Sequence, residues 1–150
     1  MKIPFITLLL SSLLLSIMPL QAQDFNLDDH KWKDRVLLVF SPNTYNPDFR
    51  DQAKQLKNAR KGINERDLKV FYVLQESSAS VKGDVLEGDE TSDLLTEFDV
   101  SSGDFVVILV GKDGTKKLQT EESISSDRLF EVIDDMPMRK LEMKEDGKGN

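Results

Sequence analysis

The sequence contains no cysteine and only one histidine. The absence of cysteine excludes a disulfide, a thiol nucleophile, a thiolate metal site and a redox pair. It also excludes a lipoprotein, because the lipid of an exported lipoprotein is attached to a cysteine. Any histidine-rich metal site or Ser–His–Asp triad would have to use His30. Because His30 lies in a polar segment beside Asp28 and Asp29, we expect an exposed histidine without a special role.

Positive charge is also scarce, with 20 lysines and arginines against 27 acidic residues and a net charge of −7. A domain of this charge repels nucleic acids and anionic membranes. The basic runs Lys31–Trp32–Lys33 and Lys116–Lys117 are too short to form a binding stripe. We therefore expect neither a nucleic-acid partner nor, once the N-terminal segment is removed, a membrane partner.

Long apolar runs are absent except at the N-terminus, where Lys2 precedes an almost wholly apolar stretch over residues 3–20. Pro19 disrupts that stretch, and Ala22 supplies the small residue that signal peptidase requires. This pattern predicts a cleaved signal peptide and a periplasmic or secreted protein. An uncleaved membrane anchor is the alternative, because the run is near spanning length. The predicted organisation is a signal peptide (1–22), one domain (23–143) and a flexible tail (144–150).

The order of apolar runs and turn signals predicts an α/β fold. Continuous apolar or β-rich runs predict buried strands over 36–40, 68–74 and 105–110, and an edge strand follows over 116–120. Helix signals predict a long helix from Asn46–Pro47 to Ile63, a short helix capped by Ser92, and a last helix capped by Ser125 that Pro137 kinks or ends. A right-handed crossover makes the first two strands parallel, and the last two form a hairpin. The result is a thioredoxin-like mixed sheet in the order 2-1-3-4, flanked by helices.

Four short motifs resemble the P-DUDES and DUDES domains. They are Trp32–Pro42 (WKDRVLLVFSP), Glu65–Leu68 (ERDL), Gly111–Gly114 (GKDG) and Asp135–Arg139 (DMPMR). DUDES domains are thioredoxin-like domains of unknown function in small exported bacterial proteins and in vertebrate extracellular-matrix proteins with sushi repeats. The resemblance runs from about Leu27 to Met143. It implies a fold and a compartment, with no common activity or cofactor.

A thioredoxin-like fold places its redox centre where the first strand meets the long helix. Here that place reads Asn43–Thr44–Tyr45–Asn46–Pro47, without sulfur. A peroxiredoxin-type Pro-x-x-x-Thr-x-x-Cys pattern counted from Pro42 meets Asn46 at the threonine position and Phe49 at the cysteine position. Thiol oxidoreductase, peroxidase and isomerase activities are therefore excluded. We expect Asn46 to act as a helix cap.

Two other binding chemistries have no support in the sequence. The acidic residues Asp84, Glu87, Asp89, Glu90 and Asp93 do not follow the spacing of a calcium-binding loop and predict a solvated loop. Neither a Walker A motif nor a dinucleotide-binding glycine motif is present. We predict neither a metal nor a cofactor.

The predicted topology brings the motif residues to the end of the sheet opposite the redox position. The candidate binding residues there are Trp32, Arg35, Arg66, Asp67, Lys112, Asp113 and Arg139. Turn chemistry and surface ion pairs are the plain explanation, and a polar recognition surface is the alternative. We expect Trp32 to pack at this end against Met136. Asn43–Asn46 and Ser101–Gly103 should lie together at the other end.

Two functions remain open. The favoured one is a non-catalytic binding module of the cell envelope or extracellular space that recognises an unknown protein or envelope component. The alternative is a non-redox enzyme with a polar site around Asp67, Lys112 and Asp113. In it, an aspartate would act as the base, and Lys112 or Arg35 would stabilise an anion. A concave pocket with perturbed carboxylates at this end would favour the enzyme.

Overall fold

A computed structural model describes residues 24–76 and 81–147, so the predicted signal peptide (1–22) and its cleavage site at Ala22 lie outside the described residues. Within those ranges a short 3-10 helix, Leu27–His30, precedes the first strand. The strands are β1 (Arg35–Ser41), β2 (Leu68–Leu74), β3 (Asp84–Leu86), β4 (Val106–Val110) and β5 (Lys116–Thr120). The helices are α1 (Pro47–Asn58), α2 (Arg60–Glu65), α3 (Asp89–Glu97), α4 (Ser126–Asp134) and α5 (Pro137–Asp146).

The strands form one mixed sheet in the order β3-β2-β1-β4-β5. β1 pairs in parallel with β2, starting at Arg35 opposite Leu68, and antiparallel with β4. The four predicted strands thus keep their predicted order and directions. The structure adds β3, which pairs in parallel with β2 in a segment predicted to be an exposed connection. Three residues, of which only Leu86 is buried, are too few for a periodic apolar signal.

The central strand β1 is buried along its whole length and separates two hydrophobic cores. One core joins Leu37 and Val39 to α1, α2 and α4. The other joins Val36, Leu38 and Phe40 to α3 and to apolar residues of the N-terminal segment. Because both faces are covered, β1 reads as a continuous apolar run in the sequence. The buried sheet therefore fixes the positions of the loops at its two ends. The β1–α1 connection lies at one end, and the α2–β2 turn and the β4–β5 hairpin lie at the other.

The helices differ from the predicted ones mainly at their ends. The predicted helix to Ile63 divides at Ala59 into α1 and α2. α3 begins at Asp89 after Gly88, which has a φ of +66°, and so starts before the predicted cap at Ser92.

The prediction of one last helix that Ser125 caps and that Pro137 kinks or ends is confirmed in part. The Ser125 hydroxyl caps α4 by accepting a hydrogen bond from the Arg128 amide. Pro137 begins a separate helix, α5, as its missing amide donor allows. α5 continues to Asp146, into the segment predicted to be a flexible tail from residue 144.

Candidate functional site

The end of the sheet where β1 leads into α1 carries structural residues at the positions of a thiol site. The Asn46 side chain accepts a hydrogen bond from the Phe49 amide at 3.1 Å and caps α1. Phe49 is 2% exposed, and its ring meets the ring of Tyr72 edge-on, with 5.3 Å between the centroids. Burial raises the pKa of the Tyr72 hydroxyl. This end therefore offers a helix cap and a core aromatic residue where a thiol enzyme needs a nucleophile.

The loops around this end are joined through Gln75, at the end of β2. The Gln75 side-chain oxygen accepts hydrogen bonds from the Ser102 hydroxyl at 2.8 Å and from the Gly103 amide at 2.9 Å. The Gln75 backbone amide donates to the Ser41 carbonyl, and the Ser41 hydroxyl donates to the Asn43 carbonyl. The prediction that Asn43–Asn46 and Ser101–Gly103 share one end is confirmed.

At the opposite end, four cations and three carboxylates form one connected network, which we call the charged pole. It joins the start of β1, the α2–β2 turn, the β4–β5 hairpin and helices α4 and α5. Its members are Arg35, Arg66, Asp67, Lys112, Asp134, Arg139 and Glu142. Of the seven residues singled out from the sequence, five are members of this network.

Arg35 is the innermost member, with 1% of its surface exposed. One guanidinium nitrogen donates to the Arg66 carbonyl at 2.8 Å, and another donates to both carboxylate oxygens of Glu142 at 3.1 and 3.2 Å. The remaining nitrogen, Nε, is buried and has no hydrogen-bond partner among the described residues. A buried charge of this kind is tolerated only when paired, so Glu142 is needed to keep Arg35 in the interior.

Arg66 and Arg139 share the carboxylate of Asp134. Arg66 makes a bidentate contact at 2.6 and 3.0 Å, and Arg139 donates to the same carboxylate at 3.2 Å. The Arg66 guanidinium also lies 4.2 Å from the centre of the Phe130 ring, a cation–π distance. Burial would raise the pKa of Asp134, but the two arginines outweigh it and hold the pKa below its ordinary value.

Lys112 lies between two carboxylates, with its ammonium nitrogen 2.8 Å from Asp67 and 2.8 Å from Glu142. Burial would lower the pKa of Lys112, but these hydrogen bonds outweigh it and raise the pKa above its ordinary value. For Glu142, burial opposes the effect of Lys112 and Arg35, and the pKa is lowered. Lys112 and Glu142 therefore both keep their charges at neutral pH and are held in place by their partners.

Asp113 stands apart from the charged pole. Its carboxylate pairs with Lys117 at 2.7 Å and accepts hydrogen bonds from the amide and hydroxyl of Thr115. The Lys117 hydrogen bond is the main reason that the pKa of Asp113 is about 2. Such a carboxylate is a weak base at neutral pH. Asp113 and Lys112 are adjacent in sequence but bind different partners, so they do not form the joint polar site of the enzyme hypothesis.

Two surface cavities are lined by residues that are not members of the charged pole, although Phe130, in the lining of one of them, contacts Arg66. One, of about 460 Å³, lies between the N-terminal segment around Phe25 and helix α3. A second, of about 510 Å³, lies between α1 and α4 beside Phe130. Across residues 24–76 and 81–147 no group of acidic or histidine side chains is arranged to hold a metal ion. Nor does any helix within those ranges have the length and apolar character needed to cross a membrane.

Comparison with known families decides the kinship of the chain. A family model described as a domain of unknown function, DUF4174, matches residues 26–142, which span both ends of the sheet. The chain belongs to this family. No curated protein matches the DUF4174 chain.

Solved structures share the fold of this DUF4174 domain at low sequence identity. The reduced 2-Cys peroxiredoxin of Plasmodium vivax superposes with a TM-score of 0.61 at 18% identity, covering 73% of this chain and 69% of that one. The peroxidoxin BcpB of Mycobacterium tuberculosis gives 0.59 at 13%, covering 71% and 82%. StoA of Bacillus subtilis gives 0.52 at 12%, covering 66% and 81%. These likenesses confirm the predicted α/β thioredoxin-like class and carry no activity to the DUF4174 domain.

Two predictions about side chains in the DUF4174 domain are wrong. Trp32 does lie at the end of the sheet that carries the charged pole, where its backbone amide donates to the Lys112 carbonyl at 2.7 Å. However, 69% of the residue is exposed and it does not pack into the interior. The interior at this end is already filled by Arg35 and its partners. His30 is partly buried. It contacts the rings of Phe25 and Phe71, and its Nδ1 lies 3.0 Å from Asp34.

Sequence reasoning missed the two carboxylates that connect the network, Asp134 and Glu142. Glu142 is three residues after Arg139 on α5, a spacing that places two side chains on one helix face. That spacing was the available signal. The contact of Glu142 with Arg35 spans 107 residues and has no local signature in the sequence.

Proposed function

We propose that this chain is an exported, non-catalytic binding module that recognises a protein or another component of the cell envelope or extracellular space. The observation that carries the proposal is the pairing of every candidate acid and base near the charged pole. Asp67 pairs with Lys112, and Asp113 pairs with Lys117. A general base must be able to accept a proton near neutral pH, whereas groups paired in this way are suited to fixing a surface in shape.

Export is part of the proposal and rests on the N-terminal sequence alone. Lys2, the apolar run over residues 3–20 and Ala22 have the order of a cleavable signal. A closer kinship with the DUDES domains, including those beside sushi repeats, also belongs to the proposal. It rests on the motifs Trp32–Pro42 and Gly111–Gly114.

The test expresses the tagged full-length chain in its source organism and recovers it from the periplasm or the medium. We expect Gln23 as the N-terminal residue, and Met1 recovered from a membrane fraction would contradict export. The recovered chain is then immobilised and exposed to a solubilised envelope fraction, with heat-unfolded chain as the control. We expect saturable retention of a component at a fixed stoichiometry by the folded chain only. Steady chemical consumption of an envelope component would instead favour an enzyme.

A further inference from the structure

Helix α5 differs from the other four α-helices of the described residues in what it buries. Each of the others contributes at least one buried apolar side chain to a core, namely Phe49, Leu56, Ile63, Leu94, Leu129 and Ile133. No residue of α5 belongs to either core of the described chain, and Arg139 is its only buried residue. Leu141 and Met143 are exposed. Apolar burial therefore contributes little to the docking of α5.

Ion pairs hold α5 in place instead. The Glu142 carboxylate lies 2.8 Å from the Lys112 ammonium and 3.1 Å from a guanidinium nitrogen of Arg35. Arg139 lies three residues before Glu142 on the same helix face and pairs with Asp134 at 3.2 Å. Two charged side chains thus fasten the helix to the start of β1, to the β4–β5 hairpin and to α4.

The net gain from these ion pairs is small, because closing α5 takes their charges out of water. Arg35 is 1% exposed, and its Nε has no hydrogen-bond partner among the described residues. The cost of removing both charges from water offsets much of the attraction in a buried ion pair, and a buried donor without a partner adds to that cost. Opening of α5 would return water to Arg35, Lys112 and Glu142. Opening of any other α-helix would instead expose apolar side chains.

A hinge lies at the start of α5. Met136 has an extended backbone, with φ −65° and ψ 138°, and separates α4 from α5. Its side chain is part of a core, so it stays with the sheet when α5 moves. Pro137 follows and has no amide to donate a hydrogen bond back to α4. A further ion pair across the hinge, between Lys140 and Asp135, joins side chains that are more than half exposed and adds little.

We propose that α5 is a strap that opens about Met136–Pro137 while the rest of the domain stays folded, and that its closed state covers Arg35. Local opening takes place where buried apolar contacts are few. In the open state, Arg35 and Lys112 face solvent at the place that Glu142 occupies in the closed state. The strap therefore controls access to the innermost cation of the charged pole. It is independent of the proposed binding function, and either can fail without the other.

Acid should open the strap at a higher pH than it unfolds the sheet. Protonation of Glu142 removes the charge that holds the strap to Arg35 and Lys112. The pKa of Glu142 lies below its ordinary value of 4.5, so the opening is expected below pH 4.5. The charged groups that face one another around the strap are Arg35 from β1, Arg66 and Asp67 from the α2–β2 turn, Lys112 from the hairpin, Asp134 from α4, and Arg139 and Glu142 from α5.

The first experiment measures energy transfer from Trp32, the single tryptophan of a chain without cysteine. The purified chain receives one thiol, by Leu141→Cys in the middle of α5, and that thiol is labelled with the acceptor AEDANS. Arg128→Cys on α4 is the matched control, because its side chain is also exposed but lies outside the strap. As the pH falls from 7, transfer to position 141 should drop first, because the label moves away from Lys112. Transfer to position 128 should change only with the far-ultraviolet circular dichroism of the whole domain.

Coincident transitions at positions 141 and 128 would overturn the strap, because they would show that α5 unfolds only with the domain. Hydrogen exchange at pH 7 tests the same opening without acid. The backbone amides of residues 140–142 should be protected at least about tenfold less than those of residues 129–134 on α4. Equal protection in the two helices would also overturn the inference.

The second experiment adds Glu142→Gln to both labelled chains at pH 7. Transfer to position 141 should fall below that of the unsubstituted chain, because the charge that fastens the strap is lost, and transfer to position 128 should stay the same. Glu131→Gln in the chain labelled at position 141 is the control and should change nothing, because Glu131 pairs only with Arg128 on α4. Unchanged transfer at both positions, or an equal loss at both, would show that α5 is not a separate strap.

Discussion

At the scale of single residues, Glu142 is the residue on which the buried Arg35 depends. Glu142→Gln keeps the shape of the side chain but removes the charge that faces Arg35 and Lys112. Removing one partner of a buried ion pair leaves the other charge uncompensated, so we expect a loss of about 2 to 3 kcal/mol in the free energy of unfolding. Urea denaturation at neutral pH measures this loss.

The matched control is Glu131→Gln on α4. Glu131 pairs with Arg128 at 2.6 Å, but both side chains are more than half exposed. An exposed pair of this kind contributes below about 1 kcal/mol. If both variants lost the same stability, the charged pole would be no more than a set of surface ion pairs.

At the scale of helices and strands, the sequence predicts what is continuous and local. β1 and β4 were predicted because each is an unbroken apolar run that both cores cover. The division between α1 and α2 at Ala59 was not predicted, because the apolar face of the helix continues across it. The meeting of the motif residues at one end followed from strand directions alone. The carboxylate partners of these residues could not be predicted from strand directions, because the contact of Arg66 with Asp134, for example, spans 68 residues.

The charged pole joins these elements, so their docking should depend on pH. In the folded chain the pKa values of Asp134 and Glu142 lie below their ordinary values of 3.8 and 4.5. Between the folded and unfolded pKa values, the unfolded chain binds more protons, so stability rises with pH. The contribution of these carboxylates is therefore complete above about pH 5 and is lost as pH falls through their folded pKa values.

We expect the urea midpoint to fall steadily from pH 5 to pH 3, and the fall to be shallower in the double variant Asp134→Asn, Glu142→Gln. Lys112 acts in the opposite sense, because its raised pKa gives a contribution that is present below pH 10.5 and lost above it. Glu131→Gln again serves as the control and should keep the slope of the wild type. An unchanged slope in the double variant would show that other carboxylates cause the acid sensitivity.

At the scale of the whole molecule, the domain shares its fold with the peroxiredoxin structures compared above, but it has no cysteine at the end where β1 meets α1. The end where β1 meets α1 is closed by the Asn46 cap and by Phe49. The opposite end carries the buried charges and the exposed Trp32. Phe49, at the position of the peroxiredoxin-type cysteine, is therefore part of the core, and a single cysteine should not restore a thiol site.

The prediction that follows concerns Phe49→Cys, which supplies the cysteine of the Pro-x-x-x-Thr-x-x-Cys spacing counted from Pro42. Phe49 is 2% exposed and packs against Tyr72, so replacing it with a small residue should cost about 3 kcal/mol in the free energy of unfolding. The new thiol should react slowly with a thiol-labelling reagent in the folded chain, because it is buried. Tyr45→Cys is the control, since Tyr45 is 83% exposed and a thiol there should label at the rate of a free cysteine. Rapid labelling or peroxide reduction by Phe49→Cys would show that this end of the fold still holds a working thiol pocket.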